Sequence, residues 1–226
     1  MGGAPFGRRR GCARRGARTD RRTIVLTRPD GRNEQLAARL RAAGYGVVVR
    51  PVVEIEVVET GPIDLDVYDW LVLTSATGAR ELRRRAVGRP GRVAAVGRAT
   101  ADAWGEVDLV PAVSTQEGLL AELPRSAGRV LFAGAEGARP LLADELGADV
   151  VVLYRAVPVA VEVEGDLAVV ASPSAARALA AANRAIPVVS IGPETTAAAR
   201  AAGLRVSAEA ETPDVEGLVA AVTASE

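Results

Sequence analysis

From Thr23 onward, short apolar runs alternate with stretches rich in Ala, Arg and Leu. The runs fall at 24–26, 71–73, 93–96, 107–110, 130–132, 150–153, 167–170 and 188–191. Continuous rather than alternating hydrophobicity suits strands buried on both faces, as in parallel sheets. Between the runs, the pattern predicts helices near 33–43, 77–86, 99–104, 115–123, 138–146, 174–183, 194–202 and 214–222. Pro140 and Pro193 stand where a first helical turn accepts proline, and Gly44, Gly147 and Gly203 stand just past predicted helix ends. Repeated strand-then-helix predicts an α/β fold with parallel sheets.

Two segments depart from this pattern and alternate with period two. In 52–58, Val53, Ile55 and Val57 interleave with Glu54 and Glu56. In 157–164, Val157, Val159, Val161 and Val163 interleave with Pro158, Ala160, Glu162 and Glu164. Such alternation marks a strand with one face in water. The two ribbons either pair as a bridge between lobes or stand as separate edge strands, and the pattern is compatible with both.

An internal repeat points to two lobes. Thr74-Ser75-Ala76-Thr77-Gly78-Ala79-Arg80 parallels Ala171-Ser172-Pro173-Ser174-Ala175-Ala176-Arg177. Val96-Gly97-Arg98-Ala99-Thr100 parallels Ile191-Gly192-Pro193-Glu194-Thr195, and Glu117-Gly118-Leu119 parallels Glu216-Gly217-Leu218. Three matches in order at nearly constant spacing predict two similar α/β units.

Composition narrows the chemistry. Hydrophobic residues make up 49% of the 226 positions, enough for a sizeable core, and 28 basic residues balance 28 acidic ones. Histidine is absent, every basic residue is arginine, and the single cysteine is Cys12. Ser-His-Asp and Cys-His catalysis, Schiff-base lysine chemistry, zinc sites built from His or Cys, and a disulfide within the chain are therefore excluded. Carboxylates, hydroxyls, arginine, tyrosine and backbone groups remain.

The neutral total hides a division. Residues 1–22 carry eight arginines and one acid, Asp20, leaving +7, so the other 204 residues carry −7. This tail reads as a disordered extension or as an electrostatic arm. No apolar run follows its arginines, so a secretory or twin-arginine signal is not expected. Neither part matches a nucleic-acid-binding domain with a basic face, and no apolar stretch approaches the ~20 residues that span a bilayer.

In open parallel sheets, ligands bind beyond the carboxyl ends of the strands, where helices begin. Hydroxyls and glycines stand at those junctions: Thr27-Arg28, Thr74-Ser75, Gly97-Arg98-Ala99-Thr100, Ser172-Pro173-Ser174 and Gly192-Pro193-Glu194-Thr195. Ser and Thr at such places are ordinary helix caps. Two lobes facing each other would also turn many free backbone N–H groups toward a shared cleft. Each helix N-terminus there offers about 0.3–1 kcal/mol to an anion. The glycines form neither a dinucleotide fingerprint nor a Walker loop. Tyr45 and Tyr68 are expected to pack, and the Arg83-Arg84-Arg85 run reads as a solvated helix face. Tyr154 ends a predicted strand and reads either as cover for the core rim or as a functional group.

The ordered segments LTRPDGRNEQLAARLRAAGYGVVVRPVVEIEV, YDWLVLTSATGARE, VAAVGRATADAW, RVLFAGAEGARPLLADEL, VVLYRAVP, VVASPSAARAL and VVSIGPETTAAARAAGLRV resemble the uroporphyrinogen-III synthase family, from about Thr23 to Val222. The resemblance implies two similar parallel-sheet α/β lobes joined by a two-stranded ribbon. Residues 23–50 plus 160–226 would form a discontinuous lobe one and 58–152 lobe two. The ribbon would be 51–57 with 153–159. The implied reaction is closure of hydroxymethylbilane to uroporphyrinogen III, with inversion of the terminal pyrrole ring and loss of water. It makes the protein a carbon–oxygen lyase of tetrapyrrole biosynthesis, without metal or organic cofactor. A cytoplasmic monomer without nucleic-acid or membrane partners is expected. The alternative is a tetrapyrrole-binding regulatory module of the same fold without catalysis.

This reaction suits a chain without His or Lys. The substrate loses its hydroxyl readily to an electrophilic azafulvene, and the pyrroles are themselves the nucleophiles. Orientation can supply up to about 7–11 kcal/mol, and a side-chain acid adds about 10²–10⁴-fold. By position, Ser75, Thr100, Tyr154, Ser172, Ser174 and Thr195 correspond to family cleft residues. With the junction residues Thr27, Arg28, Gly97 and Gly192 they make the expected substrate-binding set, and Tyr154 is the candidate proton donor.

Overall fold

Ile24, Val25 and Leu26 are completely buried although they are consecutive, which requires a strand with packing partners on both faces. The computed structural model describes residues 21–225 except 30, 32, 59, 60 and 125. The expectation for the arginine-rich tail therefore lies outside the described residues, apart from Arg21 and Arg22.

The chain opens with β1 (Thr23–Leu26), α1 (Glu34–Ala42), β2 (Gly46–Val49) and β3 (Val53–Val57). It continues through β4 (Ile63–Asp64), β5 (Trp70–Leu73), α2 (Ala76–Arg83), β6 (Ala86–Val87), β7 (Arg92–Ala95) and α3 (Arg98–Trp104). Next come α4 (Gln116–Glu122), β8 (Val130–Ala135), α5 (Leu141–Leu146) and the long β9 (Asp149–Pro158). The last part holds β10 (Leu167–Val170), α6 (Pro173–Ala182), β11 (Val188–Ser190), α7 (Pro193–Ala201), β12 (Val206–Glu209) and α8 (Val215–Ala224).

These strands form two five-stranded sheets. The first has the order β12-β11-β10-β1-β2 and is parallel throughout. The second has the order β3-β9-β8-β5-β7, parallel except where β3 runs antiparallel to β9. The first sheet thus draws strands from both ends of the chain. A short parallel pair, β4 with β6, stands apart.

Alternate residues of each strand feed opposite cores, as strand geometry demands. In the first sheet, Val25, Ala168, Val170 and Val188 pack with Ala176, Leu179 and Ala199 of α6 and α7. Ile24, Leu26, Leu167, Val169 and Val189 turn the other way, onto Leu36, Leu40, Leu218 and Val222 of α1 and α8. In the second sheet, Leu71, Leu73 and Leu131 meet Ala79 and Leu82 of α2, while Trp70, Val72 and Phe132 meet Leu119 and Leu142. A fully buried leucine such as Leu71 contributes about 1.5–3 kcal/mol.

Several expectations need correction. The run 107–110 forms no strand; only Leu109 bridges to Ala94. The alternating stretch 157–164 leaves the sheet after Pro158, and β3 pairs instead with the last half of β9, from Val57↔Tyr154 to Val53↔Pro158. The alternation there records burial without pairing: Val161 and Val163 rest on the first sheet's core while Glu162 and Glu164 face water. The reading also passes over β2, β4, β6 and β12: β2 carries the run Val47–Val49, β4 and β6 are only two residues long, and β12 mixes apolar with polar residues. Finally, Arg85 is not solvated. Its side chain is only 13% exposed, ion-paired to Glu81, and donates to the carbonyls of Val58 and Leu153. No helix among the described residues is long and apolar enough to cross a membrane.

Candidate functional site

Because neighbouring strands are parallel, the turns that follow them collect at one edge of each sheet. At the first sheet this edge brings together the residues after β1 (Thr27, Arg28), β10 (Ser172, Ser174) and β11 (Gly192, Thr195). At the second it collects Ser75 after β5, Gly97 and Thr100 after β7, the 136–139 turn after β8, and Tyr154 in β9.

Ser75 has extended backbone and caps α2, its hydroxyl accepting from the N–H of Gly78 at 3.0 Å. The same oxygen lies 2.9 Å from the phenol oxygen of Tyr154. Tyr154 reaches it through a register shift: Gly134 pairs with Val152, but Ala135 pairs with Tyr154, so Leu153 is the extra residue of a bulge. Bulges re-aim side chains, and here Leu153 and Tyr154 both enter the core of the second sheet. Tyr154 is 8% exposed, whereas Ser75 is half-buried. Rim packing and hydroxyl pairing thus coexist in one side chain.

The other residues divide by accessibility. Thr27 is completely buried, and its hydroxyl donates to the Val169 carbonyl at 2.6 Å, tying β1 to β10. Thr100 and Thr195 are also buried. Ser172 caps α6 by accepting from Ala175 N–H, and its hydroxyl lies 3.0 Å from that of Ser174; both serines are half-buried. Gly97 precedes α3 with extended backbone, and a Cβ there would come within 3.1 Å of the Ser114 hydroxyl. Gly192 precedes α7, and a Cβ on it would meet nothing.

Two contacts bring the edges face to face. Arg28, Gln35, Asp214 and Glu216 share a cavity of about 400 Å³ with Ala99 of α3, which belongs to the other sheet. Arg139, in the turn after β8, pairs with Glu117 of its own unit at 2.8 Å and with Glu194 of α7 across the cleft at 2.9 Å. Glu117 is held below the usual carboxylate range, first by its hydrogen bond from Arg139 and then by one to its own backbone. The same hydrogen bond raises Arg139. Sequence reasoning missed Arg139, although a lone arginine in a Gly/Ala turn after a buried strand was the available signal. Among the described residues no three of His, Cys, Asp and Glu are grouped as metal ligands would be.

Two open sheets with facing carboxyl edges, lined by hydroxyls, helix N-termini and arginine, define a two-unit α/β protein with a polar cleft. The family model described as uroporphyrinogen-III synthase HemD matches residues 34–220, and the chain belongs to that family. It is 31% identical over 134 residues to the uroporphyrinogen-III synthase of Synechococcus elongatus, covering 51% of each chain. It is 27% identical over 146 residues to a Methanocaldococcus jannaschii protein provisionally named for the same enzyme, covering 58% of this chain and 61% of that one. The chain thus spans about half to three-fifths of the length of the curated relatives it matches. Among solved structures, a mutant uroporphyrinogen III synthase from Thermus thermophilus shares the fold with a TM-score of 0.58 at 17% identity. That alignment covers 90% of this chain and 98% of the other.

Proposed function

We propose that this protein closes hydroxymethylbilane to uroporphyrinogen III, inverting the terminal pyrrole ring and releasing water as a carbon–oxygen lyase. The observation that carries the reading is the family match over 34–220, which takes in strands of both sheets and therefore both sides of the cleft. The lobes are 23–50 plus 160–226 and 58–152, with 51–57 and 153–159 as the ribbon, and the protein acts as a cytoplasmic monomer.

The division of labour follows from the residue types. An acetate and a propionate on each pyrrole supply the anionic groups. Arg28, Ser172, Ser174, Gly192 and the first turns of α6 and α7 receive them on one side; Ser75 and Gly97 do so on the other. Thr27, buried and bonded to the Val169 carbonyl, acts through the backbone it holds in place, and Thr100 and Thr195 are buried as well. Tyr154 and Ser75 form the proton-donating pair; the 2.9 Å between their hydroxyl oxygens and the greater exposure of Ser75 support this reading. Protonation assists departure of the substrate hydroxyl. The azafulvene is attacked by the substituted carbon of the terminal ring, because the cleft holds the chain in the fold that favours the spiro intermediate; the original bond from that carbon to its methylene bridge then breaks and re-forms at the ring's free α-carbon, which loses its proton.

The test is to supply freshly generated hydroxymethylbilane and resolve the product isomers. An excess of the type III isomer over the spontaneous type I product supports the reading. An unchanged isomer ratio, with the bilane bound, would instead indicate a binding module.

A further inference from the structure

We infer that Arg139 is a carboxylate clamp that exchanges Glu194 for a carboxylate of the ligand, so that the ion pair spanning the cleft is the one a polycarboxylate displaces. The inference rests on the proposed tetrapyrrole reading and adds a residue and a step that the reading does not contain.

Three observations converge on this arginine. Its guanidinium has a partner on each side of the cleft: one terminal nitrogen faces Glu117 of α4 and the other faces Glu194 in the first turn of α7. Its remaining donor, Nε, is buried and has no hydrogen-bond partner. Nε shares its edge of the guanidinium with the nitrogen that holds Glu117, so that edge stays committed to its own unit, and a carboxylate that replaces Glu194 takes the other terminal nitrogen in a charge-assisted hydrogen bond. Finally, the two contacts are not equivalent. Glu117 and Arg139 belong to the same unit, so their pairing survives a change in the distance between the sheets. Glu194 belongs to the other unit and must follow its sheet.

The exchange is physically easy. The side chains of Arg139 and Glu194 are 37% and 46% exposed, and a pair as exposed as this is weak. Glu194 also sits at the start of α7, beside Gly192, where a helix end favours negative charge. It thus occupies, as part of the protein, a position that a ligand carboxylate would take. A ligand that displaces it gains both the guanidinium and the helix end, while Glu117 keeps the arginine aimed. The clamp therefore favours ligands with several carboxylates and penalises those with few.

Binding of uroporphyrin III, a stable octacarboxylate, is measured by porphyrin fluorescence for the wild type, Glu194→Gln, Arg139→Gln and the double variant. Glu194→Gln is expected to tighten binding two- to tenfold, because the competing carboxylate is gone. Arg139→Gln should weaken binding about tenfold, and Glu194→Gln should give no gain in its background. If Arg139→Gln folds poorly, Arg139→Lys takes its place and should keep the charge but lose most of the fork's advantage. Unchanged or weaker binding by Glu194→Gln, an equal gain with and without Arg139, or no porphyrin binding by any of the proteins overturns the clamp. Isomer analysis with the bilane runs in parallel. Porphyrin binding that follows the clamp pattern, without type III product from the wild type, would overturn the synthase reading alone.

Discussion

The phenol oxygen of Tyr154 stands 2.9 Å from the hydroxyl of Ser75, joining a bulged position of β9 to the cap of α2. The serine oxygen also accepts from Gly78 N–H, so the helix cap and the tyrosine share one oxygen. The pair therefore couples helix capping to the one tyrosine at this edge of the second sheet.

Tyr154→Phe is expected to slow turnover by about tenfold to a few hundredfold, at or below the usual range for general-acid assistance, since the substrate hydroxyl leaves easily. The ring stays in its core, so the melting temperature should fall little, and the residual product should still be the inverted isomer. Coupled turnover with isomer analysis and a melting curve check this; wild-type turnover would reduce Tyr154 to a packing residue. Ser75→Ala should cost activity and, in addition, about 1 kcal/mol of stability from the lost cap.

Arg85 anchors the root of the β3–β9 pairing. It donates to Val58 O at 2.7 Å and to Leu153 O at 3.4 Å, next to Tyr154, with Glu81 as its counter-charge. Arg85→Met fills similar space but leaves the partly buried Glu81 without this partner and removes two donors. A loss of about 1–3 kcal/mol in urea unfolding is expected. A change below a few tenths would show that water replaces the guanidinium.

The Glu-Gly-Leu repeat has a steric origin. In both copies the glycine N–H is bonded by the capping side chain, Thr115 for Gly118 and Asp214 for Gly217. A Cβ on Gly118 would stand 2.0 Å from Val113 O, and one on Gly217 would stand 2.2 Å from Thr212 O. Either alanine substitution must push a loop backbone away, costing about 1–3 kcal/mol or more. Chemical denaturation of Gly118→Ala and Gly217→Ala provides the measurement, and wild-type midpoints would contradict the close approach.

Glu117 makes its ion pair with Arg139 pH-dependent. Its pKa in the folded protein lies below the ordinary 4.5, chiefly through Arg139. A depressed carboxylate contributes stability above its unfolded pKa and loses it as pH falls through the folded value. The melting-temperature gap between the wild type and Glu117→Gln should therefore be present at neutral pH and close in acid. A gap that widened on acidification would contradict the assignment.

Local chemistry made much of this protein legible before any coordinates. Helix boundaries followed from caps and terminators acting within one turn: Ser75, Thr115, Ser172 and Asp214 each accept a hydrogen bond from the residue three places on. Gly44 and Gly203 lie just beyond helix ends with φ of +96° and +84°, a region that side chains disfavour. Double burial of 24–26 and 71–73 followed from unbroken apolarity. The repeat was readable because two similar units impose the same steric demands twice.

What required the tertiary structure depends on residues distant in sequence. The segment 107–110 is largely apolar, yet beside β7 it forms only the Leu109–Ala94 bridge and hydrogen bonds between Asp108 and Val93, because the extent of pairing is decided by the neighbouring strand and not by local hydrophobicity. Alternation in 157–164 told which side chains turn inward, but not that Pro158 ends the pairing with β3. Arg85 looked like part of a solvated run until packing placed two carbonyls beside it. The bulge that brings Tyr154 to Ser75, and the arginine that joins Glu117 to Glu194, arise only when two sheets are assembled. Side-chain type and local spacing fix what a residue can do; the long-range packing of strands and helices fixes which partner it meets.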